Sequence, residues 1–181
     1  MAFYGASDLS LLNSGGLAGI MNYPAKTVAS NSGGFQRSRE PITTATSVLG
    51  VKFKEGVILA ADMLGSYGSL ARFRDCPRVF KVNENIIVGA GGDYADFQYL
   101  RDVIEQKVID DECIDDGFKM KPKALYHWLT RVLYNRRSQM DPLWNNYVIA
   151  GLQDGEPFLG TVDKLGTAFL DDHIATGKNE T

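Results

Sequence analysis

Two apolar runs around a short glycine turn, the second ending on an aspartate, constrain this chain more than any other stretch. Ala45 to Ser69 reads ATSVLGVKFKEGVILAADMLGSYGS. Thr46 to Phe53 is rich in β-branched and apolar residues, Lys54-Glu55-Gly56 supplies a turn, and Val57 to Ala61 is a second apolar run. Together they predict a β-hairpin. Thr46 heads the first strand and Asp62 follows the second. In an antiparallel pair those ends share one edge of the sheet, so a hydroxyl and a carboxylate 16 positions apart come together.

The rest of the chain sets the context for that pair. Residues 1–42 are rich in Gly, Ser and Asn with no sustained apolar period, and read as a flexible leader. Composition leaves open whether it is removable, wraps a neighbouring subunit or is plain disorder. Residues 43–181 read as one domain. Gly65 to Arg74 reads as a loop, and Arg78 to Val82 with Ile86 to Ala90 as a second strand pair. Gly91-Gly92 then predicts a helix opening with Asp93 as N-cap, and Phe97, Leu100, Ile104 and Val108 mark its apolar face. An acidic linker leads to a second helix from Pro122, with Leu125, Trp128, Leu129, Val132 and Leu133 as its buried stripe and Arg136-Arg137 in its last turn. Strands return at Tyr147 to Ala150, Phe158 to Val162 and Thr167 to Leu170, and the closing GKNET adds no element. Strands, then helices, then strands predict an α+β layered fold. With helices on one face only, the opposite face of the sheet is left open, which marks the domain as incomplete.

Several function classes fall away. A net charge of -3 over 181 residues argues against nucleic acid as the main partner. No apolar run is long enough to span a bilayer, and the N-terminus lacks the basic start of a secretory signal, so an intracellular protein is expected. Cys76 and Cys113 stand alone, which argues against a disulfide framework or a thiolate metal site. The glycine cluster of IIVGAGGDYADFQYL lacks the third glycine of a dinucleotide fingerprint, since Tyr94 stands there. The acidic run Asp110, Asp111, Glu112, Asp115, Asp116 lacks the alternation of a calcium loop and reads as a solvated linker. His127 and His173 have no partner spacing for metal or a triad. No cofactor and no metal are expected. Threonine remains: it acts as a nucleophile when its own α-amine is free to serve as base.

Thr46 to Asp62, continued through DMLGSYGSLARF and Arg78 to Gly91-Gly92, resembles the beta-type subunits of the 20S proteasome, which are Ntn hydrolases. The resemblance resumes at TRVLYNRRSQMDPLWNNYVIAG, FLGTVDKLG and ATG (Ala175 to Gly177). It implies the four-layer αββα Ntn sandwich. In a catalytic member the positions of Thr46, Asp62, Arg78, Gly92 and Lys164 would hold the threonine nucleophile, an aspartate, a lysine, the oxyanion glycine and a serine. Here Arg78 replaces the lysine and Lys164 the serine, and Ala45 stands before Thr46 where self-cleaving members carry glycine. A guanidinium stays protonated and cannot exchange a proton near neutral pH, and a blocked amine is no base.

The resemblance therefore implies a non-catalytic subunit of a type that helps join the two beta rings, in cytoplasm and nucleus. Its expected partners are beta subunits of the same and opposite ring and alpha-ring subunits. It would serve ubiquitin-dependent protein catabolism, with its leader trimmed between Pro41 and Thr44 by active neighbours. The family continues past ATG with two helices and closing strands, so this chain is expected to fold and assemble less well than a full-length subunit. The rival readings are an active threonine peptidase using Thr46, and a free-standing fragment.

Overall fold

The computed structural model describes residues 41–177. The expected leader lies outside the described residues apart from Pro41 and Ile42, as do the last four residues. Seven strands come first: β1 (Thr43–Ala45), β2 (Val48–Phe53), β3 (Gly56–Ala61), β4 (Gly65–Tyr67), β5 (Leu70–Phe73), β6 (Val79–Asn83) and β7 (Ile86–Asp93). Two helices follow, α1 (Tyr94–Ile114) and α2 (Pro122–Ser138). The chain closes through β8 (Asn145–Gln153), β9 (Glu156–Val162), β10 (Ala168–Leu170) and β11 (His173–Thr176).

The strands build two sheets. The larger runs β10-β9-β8-β7-β1-β4-β5, with β6 also on β7, and the smaller runs β11-β2-β3. Strands β6 and β1 take successive stretches of one edge of β7: Val79 pairs Gly89, whereas Ala45 pairs Gly92. Strand β8 is buried on both faces, so its apolar run is continuous rather than alternating. Tyr147 and Ile149 join the helical side, packing with Leu100, Ile104, Leu129 and Leu133. Val148 and Ala150 face the small sheet, packing with Val48, Leu159 and Ile174. The layers are therefore helices, large sheet, small sheet, an α+β arrangement that matches three layers of the expected sandwich.

The open face is not the one expected. The second face of the large sheet is covered by the small sheet, and it is the outer face of the small sheet that is bare. Leu49, Val51, Phe53 and Ile58 alternate with buried or half-buried neighbours and are 41–59% exposed there.

Other expectations shift as well. The loop from Gly65 to Arg74 is the β4–β5 hairpin, and β1 and β11 were not foreseen. Gly91-Gly92 lies within β7 rather than opening a helix. Asp93 does cap α1, accepting from the Ala95 and Asp96 amides. Asp110, Asp111 and Glu112 lie inside that helix near its C-terminal end, not in a linker.

Burial separates two similar-sized aliphatics sharply: Leu159 is 0% and Ile58 59% exposed. Leu159→Ala is expected to lower stability by about 2–5 kcal/mol and Ile58→Ala by less than about 0.5 kcal/mol. Urea denaturation of the 181-residue chain measures both; equal losses would contradict this layering.

Candidate functional site

Chain direction alone explains why Thr46 and Asp62 meet. The β2–β3 ladder ends at Val48 opposite Ala61, so Asp62 is one residue past it and Thr46 two before it. Thr46 and Ser47 form the passage from β1 in the large sheet to β2 in the small one, not the start of the strand itself. The Thr46 hydroxyl donates to Asp62 Oδ2 at 2.7 Å. Both side chains are exposed.

Arg78 holds this corner from below and is 1% exposed. Its Nε donates to the Asp62 carbonyl (3.1 Å) and its Nη1 to the carbonyls of Thr46 (3.3 Å) and Ala90 (3.1 Å). Its Nη2 donates to the Ser47 carbonyl (3.0 Å) and to Asp62 Oδ1 (2.9 Å). A guanidinium has five N–H groups, so every one is matched. Burial of a charge is tolerated where it is paired and fully hydrogen-bonded, and both conditions are met.

Burial works to raise the pKa of Asp62, but the Thr46 hydroxyl, the Leu64 amide and the Arg78 charge outweigh it and hold it below the usual carboxylate value. A carboxylate so stabilised is a weak base. In that charged form it accepts from the Thr46 hydroxyl and orients it.

Gly92 is brought against this corner by its backbone. It has φ +97°, and a Cβ there would lie 2.0 Å from the Trp144 carbonyl oxygen. At Gly91 a Cβ would lie 2.5 Å from the Thr46 carbonyl oxygen, so the glycine pair lets β7 pass beneath the passage. Buried Asn145 fixes that segment, its Nδ2 donating to the carbonyls of Gly91 (3.1 Å) and Asp93 (2.7 Å). Trp144 adds to it, since its amide donates to Asp96 Oδ2 at 2.9 Å and its carbonyl accepts from the Asp93 amide at 2.8 Å.

Lys164 does not join the group. Its ammonium lies over the Trp144 ring, 3.9 Å from the centroid, a cation–π contact, and among the described residues no hydrogen bond ties it to Thr46 or Asp62. The structure thus brings together Thr46 and Asp62, paired from the hairpin, and Arg78 and Gly92, named from the resemblance, and adds the supports Trp144 and Asn145, which sequence reading misses. The spacing of PLWNNY gives no periodic signal for them.

Upstream, Ala45 is buried and sits in β1, opposite Gly65 of β4 on one side and Gly92 of β7 on the other. The nitrogen of Thr46 is the next peptide amide of that chain. Among the described residues no group of three His, Cys, Asp or Glu side chains could hold a metal ion, and no helix is long and apolar enough to cross a membrane.

Arg78→Lys is expected to cost about 2–4 kcal/mol in urea denaturation, because three ammonium donors leave acceptors of the five-bond set unmatched. A loss below about 0.5 kcal/mol would show that the clamp is dispensable. The folded pKa of Asp62 is depressed, so its contribution is present above the unfolded value and lost as pH falls through the folded one. Asp62→Asn is therefore expected to flatten the decline of melting temperature below about pH 4, with little change in that slope near neutrality. An unchanged acid limb would refute this.

Comparison with known proteins gives these residues a context. The family model described as "Proteasome subunit" matches residues 42–181. Proteasome subunit beta type-4 of Xenopus laevis is 62% identical over 146 residues, covering 81% of this chain and 60% of that protein. The beta type-4 subunit of Drosophila melanogaster is 47% identical over 164 residues, covering 90% of this chain and 61% of the relative. Proteasome subunit beta type-7 of Saccharomyces cerevisiae is 41% identical over 145 residues, 77% of this chain and 54% of the relative. The chain thus spans under two thirds of the length of these relatives. By the family match and by these identities, the chain belongs to the proteasome subunit family, among its beta-type members.

Proposed function

We propose that this chain is a structural, non-catalytic beta subunit of the 20S proteasome core particle, supporting ubiquitin- and ATP-dependent protein degradation through assembly rather than through chemistry of its own. The observation that carries this reading is the Arg78 bond set: all five donors are bound, on a guanidinium with no proton to exchange, where a catalytic relative would hold lysine. A threonine peptidase of this kind also needs the Thr46 nitrogen as a free amine to take the proton of its own hydroxyl. Self-cleaving members carry glycine before that threonine, and here Ala45 stands in its place, buried between β4 and β7.

The other groups fit the same reading. Asp62 is held in its charged form by the Thr46 hydroxyl, the Leu64 amide and Arg78. Lys164 rests on Trp144. The proposed partners are beta subunits of the same and opposite ring and subunits of the alpha ring, and the proposed location is cytoplasm and nucleus. Trimming between Pro41 and Thr44 would remove the leader while keeping part or all of β1. The rival, an active peptidase, requires cleavage of the Ala45–Thr46 bond and so dismantles the end of β1 from its two neighbours.

A covalent inhibitor directed at N-terminal threonines, applied to core particles containing this chain, separates the two. The expected outcome is no adduct on Thr46 and an N-terminus at or before Thr44 by mass spectrometry. An adduct on Thr46 would overturn the proposal. Thr46→Ala is expected to leave the peptidase activities of the assembled particle unchanged.

A further inference from the structure

The small sheet has the order β11-β2-β3, so among the described residues β3 pairs with β2 alone and its other side is an open edge. Which backbone groups lie along that edge follows from β2. The Lys52 amide turns away from β3 to the Asp172 carbonyl, the Val48 amide turns away to the Thr176 hydroxyl, and these two residues stand opposite Val57 and Ala61. Both pairs are therefore non-hydrogen-bonded ones, and the alternation of an antiparallel ladder adds Gly50 with Leu59 to the same class. The N–H and C=O groups of Val57, Leu59 and Ala61 thus point outward, and no hydrogen bond among the described residues takes them.

Exposed edges are ordinarily blunted by brevity, charge, proline or a bulge. The other strands with an open side follow that rule. Strand β5 has four residues, includes Arg72 and pairs across a register shift at Gly65/Ser66, and β6 carries Lys81 with a shift beside it. Strand β10 has three residues, and β11 has four with Asp171 and Asp172 before it. Strand β3 has none of these protections: it is six residues of GVILAA, without charge or proline, in unbroken register with β2. It is also apolar on both faces. Val57, Leu59 and Ala61 pack inward on the cluster of Val48, Val148 and Leu159, while Ile58 and Ala60 are exposed on the outer face.

Such an edge is completed by an uncharged strand that is apolar on both faces, and β3 meets that description itself. A two-fold axis through Leu59 sets Val57 opposite Ala61 of a second copy and Leu59 opposite its own counterpart, so each edge offers the donors and acceptors the other lacks. The axis also keeps inner face beside inner face. The two Leu59 side chains then meet on the core side, and Ile58 lies opposite Ala60 of the second copy on the outer side. We propose that β3 is a self-pairing edge, through which two copies of this chain join their small sheets into one continuous antiparallel sheet. The contact is narrow, well below the roughly 800 Å² per partner of a standard interface, so the dimer is weak and concentration-dependent. The inference goes beyond the proposed function and rests on β3 alone, so it stands whether or not that reading does.

Sedimentation velocity of the 181-residue chain is the test. A monomer at about 5 μM is expected to give way to a dimer by about 200 μM, with nothing larger, because pairing uses up the edge in both copies. Ile58→Lys with Ala60→Lys sets like charges opposite each other across the join and is expected to weaken the dimer at least about tenfold. Ile58→Lys with Ala60→Glu removes the same apolar surface but sets opposite charges together, and is expected to dimerise at least about fivefold more tightly than the first variant. Both variants change exposed side chains only, so far-ultraviolet circular dichroism is expected to stay as in the parent chain. Leu49→Ser, on the outer face of β2, is expected to leave the dimer intact. Hydrogen–deuterium exchange resolved to single amides is expected to find Val57, Leu59 and Ala61 open at about 5 μM and protected at about 200 μM. No dimer from the folded chain, growth beyond a dimer, equal weakening in the two double variants, or loss on Leu49→Ser would each overturn the proposal. So would protection of those amides already in the monomer, which would mean that another segment of the chain fills the edge.

Discussion

One buried guanidinium holds the two sheets together where the chain passes between them. The passages are Thr46–Ser47, from β1 to β2, and Asp62–Leu64, from β3 to β4. Arg78 donates to the first through the carbonyls of Thr46 and Ser47, and to the second through the carbonyl and carboxylate of Asp62. Its remaining donor reaches Ala90 on β7, in the gap between the stretches of that strand paired by β6 and by β1. Taking such a cation out of water costs several kcal/mol, which only a full set of partners offsets. The arrangement is therefore all or nothing: the five acceptors converge because the passages lie side by side, and the passages stay side by side because the five acceptors are bound.

Strand β8 supplies the floor for that corner. Buried on both faces, it is the layer that the helices and the small sheet share, through Tyr147 and Ile149 on one side and Val148 and Ala150 on the other. Its first residue, Asn145, spends its amide on the Gly91 and Asp93 carbonyls, and the preceding Trp144 ties itself to Asp93 and Asp96 at the start of α1. Gly91 in turn lies under the Thr46 carbonyl with no space for a side chain. Packing in the middle of the molecule is thus transmitted to the edge where Thr46 sits through backbone contacts, and the helix N-cap belongs to the same network.

Much of this was legible in the sequence, for a physical reason: it depends on local periodicity. The β2–β3 hairpin declares itself through two apolar runs around Lys54-Glu55, and α2 through Pro122 and its apolar stripe. What escaped depends on partners far along the chain. Strands β1 and β11 are three and four residues long, the one carrying two threonines and an alanine and the other preceded by Asp171 and Asp172, and only pairing with β4 and β7 and with β2 makes them strands. Gly91-Gly92 reads locally as a break, yet close approach by Thr46 and Trp144 is what requires glycine, and β7 runs through it. In the same way Thr46 and Asp62 could be paired from hairpin geometry, whereas the bond set of Arg78 could not, because four of its five acceptors are backbone carbonyls that any residue offers. Its replacement of lysine was visible, but the consequence for the joint between the sheets was not.

On the proposed reading, that consequence bears on how a scaffold of this kind persists without the chemistry its geometry suggests. The groups a threonine peptidase would use are each committed to holding shape: the Arg78 donors to the passages, the Asp62 carboxylate to Arg78 and the Thr46 hydroxyl, and Lys164 to the Trp144 ring. These commitments are coupled. Freeing the amine would cut β1 away from the passage whose carbonyls Arg78 binds, and a shorter cation able to release a proton would leave part of that acceptor set unmatched. On the proposed reading, the distance from a catalytic relative is therefore not one substitution at Ala45, Arg78 or Lys164. It is a joint rearrangement of the corner, and each single step toward activity first weakens the contact between the two sheets.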